Sequence, residues 1–450
     1  MNIQSDSKKI KKGDTFIALR GIENDGHDYI EEAIKNGATT IIAEEGLYNV
    51  NTIIVEDTRK YLIEYLDNKY KEELKDLKLI GITGTNGKTT TCFLLHQVLS
   101  DLNSPCAYIG TLGFYMDKKV KDLNNTTPDL IDIYEMLIEC KRNGYKFVAM
   151  EVSSHALDLN RIGNLKFDYA IFTNLTQDHL DYHKTLDNYI KAKRKLFEKI
   201  NENGKTLVNY DDEHKDNFIM DNTILYGFKG GNYKVEDFNI KDNETYFVIK
   251  KDNELMEFNT QLLGKHNIYN ILVTIIILDN LGYDYNTIKK QISNVYSPNG
   301  RMETIKYNDN TIIIDYAHTP DAVSKIISTV KEFNKGNIIT IIGCGGNRDK
   351  TKRPIMGTIS TDLSNHVIFT SDNPRYENEL DIINDIIKDL KNQNYEIEKD
   401  RKEAIKKGIQ MLKKNDILLI LGKGHENYQI INGEKFHFDD KEEVIKLIRR

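Results

Sequence analysis

The feature that most constrains this chain is a glycine-rich segment between an apolar strand and a helix. It extends from Gly81 to Thr91 and reads GITGTNGKTTT. The apolar stretch Leu77 to Ile82 leads into it, and apolar residues at helical spacing follow it from Phe93 to Leu99. Backbone N–H groups at the start of a helix can cradle phosphate oxygens, so the segment predicts a nucleoside triphosphate site.

Residues of this segment suit different parts of a triphosphate. Lys88 can reach the β and γ phosphates, and the Thr89 hydroxyl can ligate Mg²⁺. The usual P-loop pattern has four residues between its glycines, whereas five separate Gly81 from Gly87. A solvated loop that happens to contain Gly-Lys-Thr is therefore the alternative. The predicted ATP-binding residues here are Gly84, Thr85, Asn86, Gly87, Lys88, Thr89 and Thr90.

Composition and charge favour small-molecule partners. The chain has 450 residues, of which 39% are hydrophobic and 29% charged, which is enough for about two to four domains. Its 62 basic and 69 acidic residues are mixed along the chain, so neither nucleic acid nor a membrane is an expected partner. The cysteines Cys92, Cys106, Cys140 and Cys344 lack CxxC spacing, which indicates reduced core thiols in a cytoplasmic protein. No signal segment is evident at the N-terminus.

Alternating strand and helix patterns predict an α/β protein of three domains. Residues 1–75 form a small α/β domain that ends with a helix predicted from Leu62 to Lys78. Residues 76–298 form a central domain with a P-loop ATPase-like, mostly parallel sheet, and the linker Ser297 to Gly300 spans its end. Residues 299–450 resume the alternation as a Rossmann-like α/β domain.

The end of the central domain has a different pattern. Apolar and polar residues alternate from Tyr233 to Leu263 around turn residues at Asp242 and Asp252, which predicts antiparallel hairpins attached to the main sheet. A helix from Asn267 to Asn280 is predicted to follow.

Polar residues follow two central strands where ligands bind in open α/β sheets. Glu151 ends the strand FVAME, and the strand YAIFTN leads to Asp178 and His179. Thr89 and Glu151 together could hold Mg²⁺ beside a triphosphate. Taken singly, a paired structural Glu and a structural His remain the alternatives.

Long motifs occur in one order over almost the whole chain. They are GTNGKTT, TTPD from Thr126, MEVSSHAL from Met150, NLTQDHLDYH from Asn174, YIKAKRKLF from Tyr189, DYAHTPD from Asp315, GCGGNRDKTKRP from Gly343 and TSDNPR from Thr370. With these motifs the chain resembles the Mur ligases, and among them those that add the third amino acid of the peptidoglycan stem peptide. The resemblance implies three domains, for a UDP-sugar, ATP and the incoming amino acid, with an active site between them.

The resemblance also implies the reaction and its residues. ATP phosphorylates a substrate carboxylate, and an amine then attacks the acyl phosphate. The implied catalytic residues are Lys88, Glu151, His179 and Lys193, and the implied metal ligands are Thr89, Glu151, His179 and Lys193. Asn267, Arg301 and Asp315 complete the ATP site. Lys193 is expected to be carbamylated by CO₂, which converts an ammonium into an anionic oxygen ligand; a surface lysine on an amphipathic helix is the alternative.

The same resemblance implies how UDP-N-acetylmuramoyl dipeptide is bound. Its residues are Ser7, His27, Thr126, Thr127, Ser153, Arg161 and Lys193, although capping and turn roles for the Ser and Thr residues stay open. Lys8 replaces the usual Arg of Asp-Ser-Arg, Leu159 a usual Gln, and His266 a usual Phe. The replacement at His266 affects the expected packing against the adenine ring. The chain also starts close to Ser7, so an initial strand or helix is expected to be missing.

For the incoming amino acid, the DNPR sequence is the form that the resemblance associates with meso-diaminopimelate. The implied residues are Arg348, Asp372, Asn373, Pro374, Arg375, Gly422 and Glu426. The planar fork of Arg375 suits the distal carboxylate, which L-lysine lacks, and Glu426 suits the distal ammonium. Helix capping by Arg375, or a pair with Glu377, is the alternative.

Three other functions remain open at this point. They are L-lysine addition by the same kind of ligase, a folylpolyglutamate or cyanophycin synthetase, and a nucleotide-binding regulatory protein that lost the chemistry. Lys88, Glu151, His179 and Lys193 are all present, which favours an enzyme over a regulatory protein. A monomer is expected.

Overall fold

The computed structural model describes residues 2–21, 24–241 and 244–449. The chain divides into two compact units. The first runs to Lys234 and includes Leu272–Ile277; the second holds Val235–Ile271 and the chain from Leu278 onward. Among the described residues no helix has the length and apolar character needed to cross a membrane.

A small parallel sheet opens the first unit. Its strands, in spatial order β1-β2-β3-β4, are β1 Ile3–Gln4, β2 Thr15–Ile17, β3 Thr40–Ala43 and β4 Asn51–Ile54. Two α-helices accompany them, α1 Ile30–Lys35 and α2 Thr58–Leu74. The helix predicted from Leu62 to Lys78 was wrong at both ends. Asp57 caps α2 by accepting a hydrogen bond from the Lys60 N–H, so the helix starts four residues earlier. It also ends earlier, because Lys78 already belongs to the next strand.

A larger sheet of mostly parallel strands forms the rest of the first unit. Its strands are β5 Lys78–Thr83, β6 Cys106–Gly110, β7 Gly113–Tyr115, β8 Lys119–Lys121, β9 Phe147–Glu151, β10 Phe167–Phe172, β11 Ile200–Asn209 and β12 Thr223–Gly227. Its helices are α3 Lys88–Asp101, α4 Leu130–Arg142, α5 Ser154–Asp158, α6 Leu180–His183 and α7 Leu186–Arg194. The spatial order of these eight strands is β12-β11-β10-β5-β9-β6-β7-β8, and among them only the β6-β7-β8 pairs are antiparallel.

This order decides which loops meet. Strand β5 lies between β9 and β10, so the loop after it has neighbours at the carboxyl ends of both strands. Strand β6 lies on the other side of β9. The three central strands are buried, as expected of a parallel sheet covered on both faces.

The second unit begins with three strands. β13 Tyr233–Lys241 starts two residues before the unit boundary, and β14 Glu244–Lys251 pairs antiparallel with β15 Glu254–Thr260. The predicted turn at Asp252 is confirmed, with a left-handed φ of 53°. The predicted Asp242 turn lies outside the described residues. Helices α8 Lys265–Asn280 and α9 Tyr285–Asn294 follow, and residues 297–300 contain no helix or strand, as predicted for a linker.

A six-stranded sheet forms the core of the second unit. In spatial order β16-β17-β21-β18-β19-β20, it is built from β16 Glu303–Tyr307, β17 Asn310–Asp315, β18 Ile338–Ile342, β19 His366–Phe369, β20 Tyr395–Ile397 and β21 Ile417–Leu421. A hairpin of β22 Tyr428–Ile431 and β23 Glu434–His437 follows. The helices are α10 Pro320–Phe333, α11 Lys352–Leu363, α12 Glu379–Ile387, α13 Arg401–Met411 and α14 Asp440–Ile448.

Strand periodicity explains how this sheet is covered. In β21, Ile417, Leu419 and Leu421 join one hydrophobic cluster, while Leu418 and Ile420 join another. The first cluster includes residues of α10, α11 and α12, and the second includes residues of α13 and α14. The fold is therefore α/β as predicted. The boundaries after residues 75 and 298 remain predictions.

Candidate active site

The glycine-rich segment forms a tight loop between β5 and α3. Gly84 and Gly87 have φ values of 149° and 88°, which side chains rarely adopt, and a Cβ on Gly84 would collide with the Thr173 hydroxyl. Gly87 occupies the N-cap position and Lys88 begins the helix. The Lys88 ammonium donates to the carbonyls of Gly84 and Thr85 at 2.9 Å each, which places the charge over the loop.

Thr173 and Asn174, which follow strand β10, hold this loop in place. The Asn174 side chain accepts from the Asn86 N–H and donates to the Asn86 carbonyl, both at 3.0 Å. Thr173 Oγ1 donates to the same carbonyl at 2.7 Å. A loop whose own backbone is fixed this way suits phosphate binding, because its N–H groups need no reorganisation.

Thr89 and Glu151 come together as the sequence predicted. Thr89 Oγ1 donates to Glu151 Oε2 at 3.0 Å, and Glu151 is 1% exposed. The other carboxylate oxygen, Oε1, accepts from the Tyr108 hydroxyl at 2.5 Å and from the Thr111 N–H at 2.9 Å. Hard oxygen donors at this spacing fit Mg²⁺. The described residues contain no cluster of three His, Cys, Asp or Glu side chains that could hold a metal, so such an ion would rely on few protein ligands, as phosphate-bound Mg²⁺ commonly does.

Tyr108 and Thr111 were missed at the sequence level. Tyr108 lies in β6, and the pairing of β6 with β9 brings its hydroxyl to Glu151. Gly110 is needed beside them, because a Cβ there would lie 2.5 Å from the Tyr108 hydroxyl. A tyrosine inside the apolar strand CAYIG was the one available indication.

Lys193 is buried beside the phosphate loop. It is 1% exposed, and its ammonium donates to the Gly84 carbonyl at 2.8 Å while lying 4.4 Å from the ring centre of Tyr189. Burial, together with Lys88, holds the pKa of Lys193 well below its usual range. The alternative of a surface lysine is therefore wrong, and Lys193 has an environment that favours a neutral amine.

His179 lies in a group of aromatic side chains next to this loop. It has a left-handed φ of 54° immediately before α6, and its Nε2 is 3.4 Å from Asp178 Oδ2. Its ring packs edge-on against His155 and Tyr189, with centroids 4.8 and 6.2 Å apart. The Tyr189 hydroxyl is in turn 3.3 Å from Thr85 Oγ1. His179 thus reaches the loop through Tyr189, and its role as a metal ligand remains a prediction.

Two residues of the small N-terminal sheet region were predicted to bind the sugar nucleotide. Ser7 is buried, and its hydroxyl donates to Glu32 Oε2 at 2.6 Å. His27 Nε2 accepts from the Glu44 N–H at 3.0 Å, so the His27 Nδ1–H donates to Asp25 at 2.6 Å. The His27 ring is therefore fixed in one tautomer.

Four more of the residues predicted for the sugar nucleotide, Thr126, Thr127, Ser153 and Arg161, lie close to one another beside Glu151. Thr127 Oγ1 donates to the Glu151 carbonyl at 2.9 Å and accepts from the Ser153 N–H at 2.9 Å. Arg161 donates to the Thr127 carbonyl at 3.4 Å, and the Thr126 hydroxyl is 3.2 Å from that of Thr111. Ser153 also caps α5, so the capping role left open for it is confirmed, without excluding ligand binding.

The ATP residues predicted in the second unit have the following surroundings. Asn267 is buried and donates to the Leu263 carbonyl at 2.8 Å. Burial and nearby Lys325 lower the pKa of His266 to about 4. The ring is therefore neutral and can pack as the Phe that is usual at this position would. Asp315 accepts from two backbone N–H groups at 2.7 and 2.8 Å, and burial raises its pKa despite Arg301.

The residues predicted for the amino acid also lie in the second unit. Asn373 donates to Glu426 Oε2 at 2.7 Å, and burial and Asp372 raise the pKa of Glu426. Gly422 has a φ of 110°, and a Cβ there would lie 2.6 Å from Asp372 Oδ2, so these two loops touch.

Arg375 is half-buried and does not pair with Glu377. Its Nη1 donates to the Gly346 carbonyl at 2.9 Å. Glu377 pairs instead with the fully buried Arg353 at 3.0 Å and with Lys350 at 3.0 Å. The alternative of an Arg375–Glu377 pair is therefore wrong. Arg348 is exposed, whereas Pro374, which lies between Asn373 and Arg375 in the chain, is buried.

Known families match the chain in three successive segments. The Mur ligase family, catalytic domain, matches residues 1–70, the Mur ligase middle domain residues 82–278, and the Mur ligase, glutamate ligase domain, residues 300–424.

Curated relatives match over nearly the full length. The UDP-N-acetylmuramoyl-L-alanyl-D-glutamate--2,6-diaminopimelate ligase of Fusobacterium nucleatum is 44% identical over 98% of this chain and 92% of its own length. The ligase of the same name in Clostridium perfringens is 42% identical over 99% of this chain and 94% of its own.

Solved structures agree in fold. A structure of UDP-N-acetylmuramoyl-L-alanyl-D-glutamate--2,6-diaminopimelate ligase has a TM-score of 0.72 at 31% identity, covering 99% of this chain and 94% of that chain. MurF ligase from Thermotoga maritima in complex with ADP has a TM-score of 0.68 at 19% identity, covering 99% and 96%, and shows the fold alone.

Proposed function

The chain belongs to the Mur ligase family, and we propose that it adds meso-diaminopimelate to UDP-N-acetylmuramoyl-L-alanyl-D-glutamate in peptidoglycan synthesis, with ATP as co-substrate. The observation that carries the proposal is the buried Thr89–Glu151 pair directly beneath the phosphate loop. The names and full-length match of the curated relatives support the substrate.

The chemistry needs activation of a carboxylate, because a free carboxylate and an amine only exchange a proton. A carboxylate oxygen attacks the γ-phosphorus of ATP, the bond from that phosphorus to the bridging oxygen breaks, and ADP leaves. The amine then attacks the acyl carbon, phosphate leaves, the amine loses a proton, and an amide remains. Mg²⁺ held by Thr89 and Glu151 would neutralise negative charge on the phosphates.

The chain's own groups supply position and charge for these steps. The rigid loop from Gly84 to Lys88 orients the phosphates through backbone N–H groups, and the Lys88 ammonium stabilises the charge that moves to the leaving ADP. The Tyr108 hydroxyl and Thr111 N–H hold Glu151 Oε1, which leaves Oε2 directed toward Thr89. Positioning of this kind is the main protein contribution to phosphoryl transfer.

Carbamylation of Lys193 is part of the proposal. A neutral amine attacks the carbon of CO₂, a nitrogen–carbon bond forms and a proton is released. The lowered pKa of Lys193 supplies the neutral amine, and the carbamate N–H can keep the hydrogen bond to the Gly84 carbonyl. The added carboxylate would give the site an anionic oxygen ligand, which His179 is proposed to supplement.

Specificity for diaminopimelate is assigned to the loops of the second unit. Arg375 donates only to main-chain carbonyls among the described residues, so its charge is not neutralised by a carboxylate there. We assign the distal carboxylate of the substrate to this guanidinium and its distal ammonium to Glu426, which Asn373 orients at 2.7 Å.

Phosphate release from ATP tests the function. The full-length protein with Mg²⁺ is expected to release phosphate only when both the UDP-muramoyl dipeptide and meso-diaminopimelate are present. A panel that includes L-lysine distinguishes the alternative amino acid. Phosphate release without either substrate, or ATP binding with no release under any combination, would indicate a regulatory protein and contradict the proposal.

A further inference from the structure

Arg401 and Asp440 form an ion pair that is completely buried in the second unit. Both side chains are 0% exposed, and the contacts are bidentate, from Arg401 Nε at 2.7 Å and Nη2 at 2.8 Å to the two Asp440 oxygens. Arg401 is the first residue of α13 and Asp440 the first of α14. The pair therefore joins the starts of two helices on one face of the sheet.

The same guanidinium also binds the carboxyl ends of two strands. Nη2 donates to the carbonyl of Leu421, the last residue of β21, at 3.0 Å. Nη1 donates to the carbonyl of Ser371, just after β19, at 3.4 Å. Strand β18 separates β19 from β21, so one side chain connects strand ends that do not pair with each other.

The residues that follow these two carbonyls are the ones assigned to the amino acid. Asp372 follows Ser371, and Gly422 follows Leu421. The two loops approach so closely that a Cβ on Gly422 would lie 2.6 Å from Asp372 Oδ2. A shift of one carbonyl would therefore move one loop against the other.

Charge connects the pair to the same loops. Burial opposes the Arg401 charge, but Asp440, Asp372 and Glu426 raise the pKa of Arg401 above its usual value. The guanidinium therefore stays charged in this acidic environment and balances part of the negative charge that would face the substrate ammonium.

We propose that the Arg401–Asp440 pair is a positioning pair, which holds the loops after β19 and β21 in register for binding of the incoming amino acid. The inference rests on the proposed function for the identity of that amino acid. Neither side chain needs to touch the substrate.

A purely structural pair would behave differently on replacement. Buried ion pairs can often be replaced by apolar side chains of similar volume with little loss of stability, whereas removal of one partner alone is strongly destabilising. The double variant Arg401→Met with Asp440→Leu keeps an apolar contact between α13 and α14 but removes both hydrogen bonds to strand carbonyls. Arg401→Lys is the second variant, since an ammonium can pair with Asp440 but cannot bridge all three partners.

The same two helices provide a matched control. Lys402 and Glu443 form a partly exposed ion pair at 3.6 Å. Lys402 follows Arg401 on α13, and Glu443 lies on α14. Lys402→Met removes this ion pair without affecting a strand carbonyl and leaves Glu443 paired with Lys446 at 2.8 Å, so the kinetic constants of this control are expected to match the wild type.

Steady-state kinetics with each substrate varied give the first readout. For both Arg401 variants we expect KM for meso-diaminopimelate to rise at least tenfold, with KM for ATP and for the UDP-muramoyl dipeptide within twofold of wild type. Amide hydrogen exchange in residues 371–373, 375–376 and 422–424 is expected to be at least tenfold faster than in the control. Where the wild type uses diaminopimelate, an unchanged KM for it in both variants would overturn the proposal, and so would failure of both variants to fold.

These readouts separate the two proposals. If the wild type does not use diaminopimelate, the proposed function fails, and hydrogen exchange alone then decides the role of Arg401 and Asp440. If the wild type uses it and the variants keep wild-type KM, only the positioning role is overturned.

Discussion

At the scale of single residues, Lys193 has surroundings that suit a neutral amine better than an ammonium. We predict that Lys193→Ala loses most ligase activity, because the proposed carbamate oxygens are lost and no neighbouring group replaces them. Acetate or formate at millimolar concentration is expected to restore part of the rate by occupying the vacated space. Phosphate release with all substrates present measures both effects.

Lys191 provides the control for this substitution. It lies two residues away on α7 but is exposed, and it pairs with Asp187 at 2.7 Å. Lys191→Ala is expected to retain normal activity, since exposed ion pairs contribute little. Full activity of Lys193→Ala would contradict the carbamate proposal.

Arg375 is the residue on which amino-acid choice is expected to depend. Removing one partner of a buried charge pair costs about 2–5 kcal/mol. At about 1.4 kcal/mol per decade, Arg375→Ala should lower kcat/KM for diaminopimelate by a factor of ~30 to 4,000 and have little effect on the poor use of L-lysine. Initial rates with the two amino acids measure this change in preference.

Lys350 serves as the comparison for Arg375. It is exposed and pairs with Glu377 at 3.0 Å, so Lys350→Ala removes a cation from the same region without removing the guanidinium fork. The Lys350→Ala variant is expected to keep the wild-type preference for diaminopimelate over L-lysine. Equal use of both amino acids by the wild type would show that the assignment of Arg375 is wrong.

At the scale of elements, the helix that carries Lys193 depends on its N-cap. The Thr185 hydroxyl accepts from the Asn188 N–H at 3.2 Å and satisfies one of the free donors at the start of α7. Thr185→Ala is predicted to lower the free energy of unfolding of the first unit by about 1 kcal/mol, whereas Thr185→Ser keeps the acceptor and most of the stability. Urea unfolding of both variants and the wild type checks this difference, and equal midpoints for Ala and wild type would be the contrary result.

Local patterns predicted elements well where the chemistry is local. The phosphate loop and the Asp252 turn each followed from their own residues. The end of α2 did not, because Lys78 joins β5 only through pairing with Phe147, which lies 69 residues away in the chain. Helical propensity cannot detect such a partner.

The candidate site shows the same limit. Thr89 and Glu151 were predicted together because both follow strands of one parallel sheet. Tyr108 was not predicted as part of the site, because no local sequence pattern indicates that β6 lies next to β9. Arg401 and Asp440 were missed for a similar reason: each reads as an ordinary charged residue at a helix start, and only the packed fold shows that both are buried.

At the scale of the whole molecule, the predicted ligands divide between the two compact units. All residues predicted for the UDP-muramoyl dipeptide, from Ser7 to Lys193, belong to the first unit, and all residues predicted for the amino acid, from Arg348 to Glu426, belong to the second. Each unit also contains its own buried hydrophobic clusters. Chains with separate cores commonly depart from two-state unfolding.

Calorimetry can therefore assign each substrate to its unit. We predict a calorimetric enthalpy of unfolding larger than the van't Hoff enthalpy, with at least two transitions. A ligand at 100 times its Kd stabilises the unit that binds it by about 2.7 kcal/mol, which corresponds to a rise in Tm of ~5–11 °C for a unit of this size. The UDP-muramoyl dipeptide should raise one transition and diaminopimelate the other, because their predicted residues share no unit. Arg375→Ala should abolish only the second shift. A single transition with equal enthalpies, or both ligands raising the same transition, would contradict this division of the substrates.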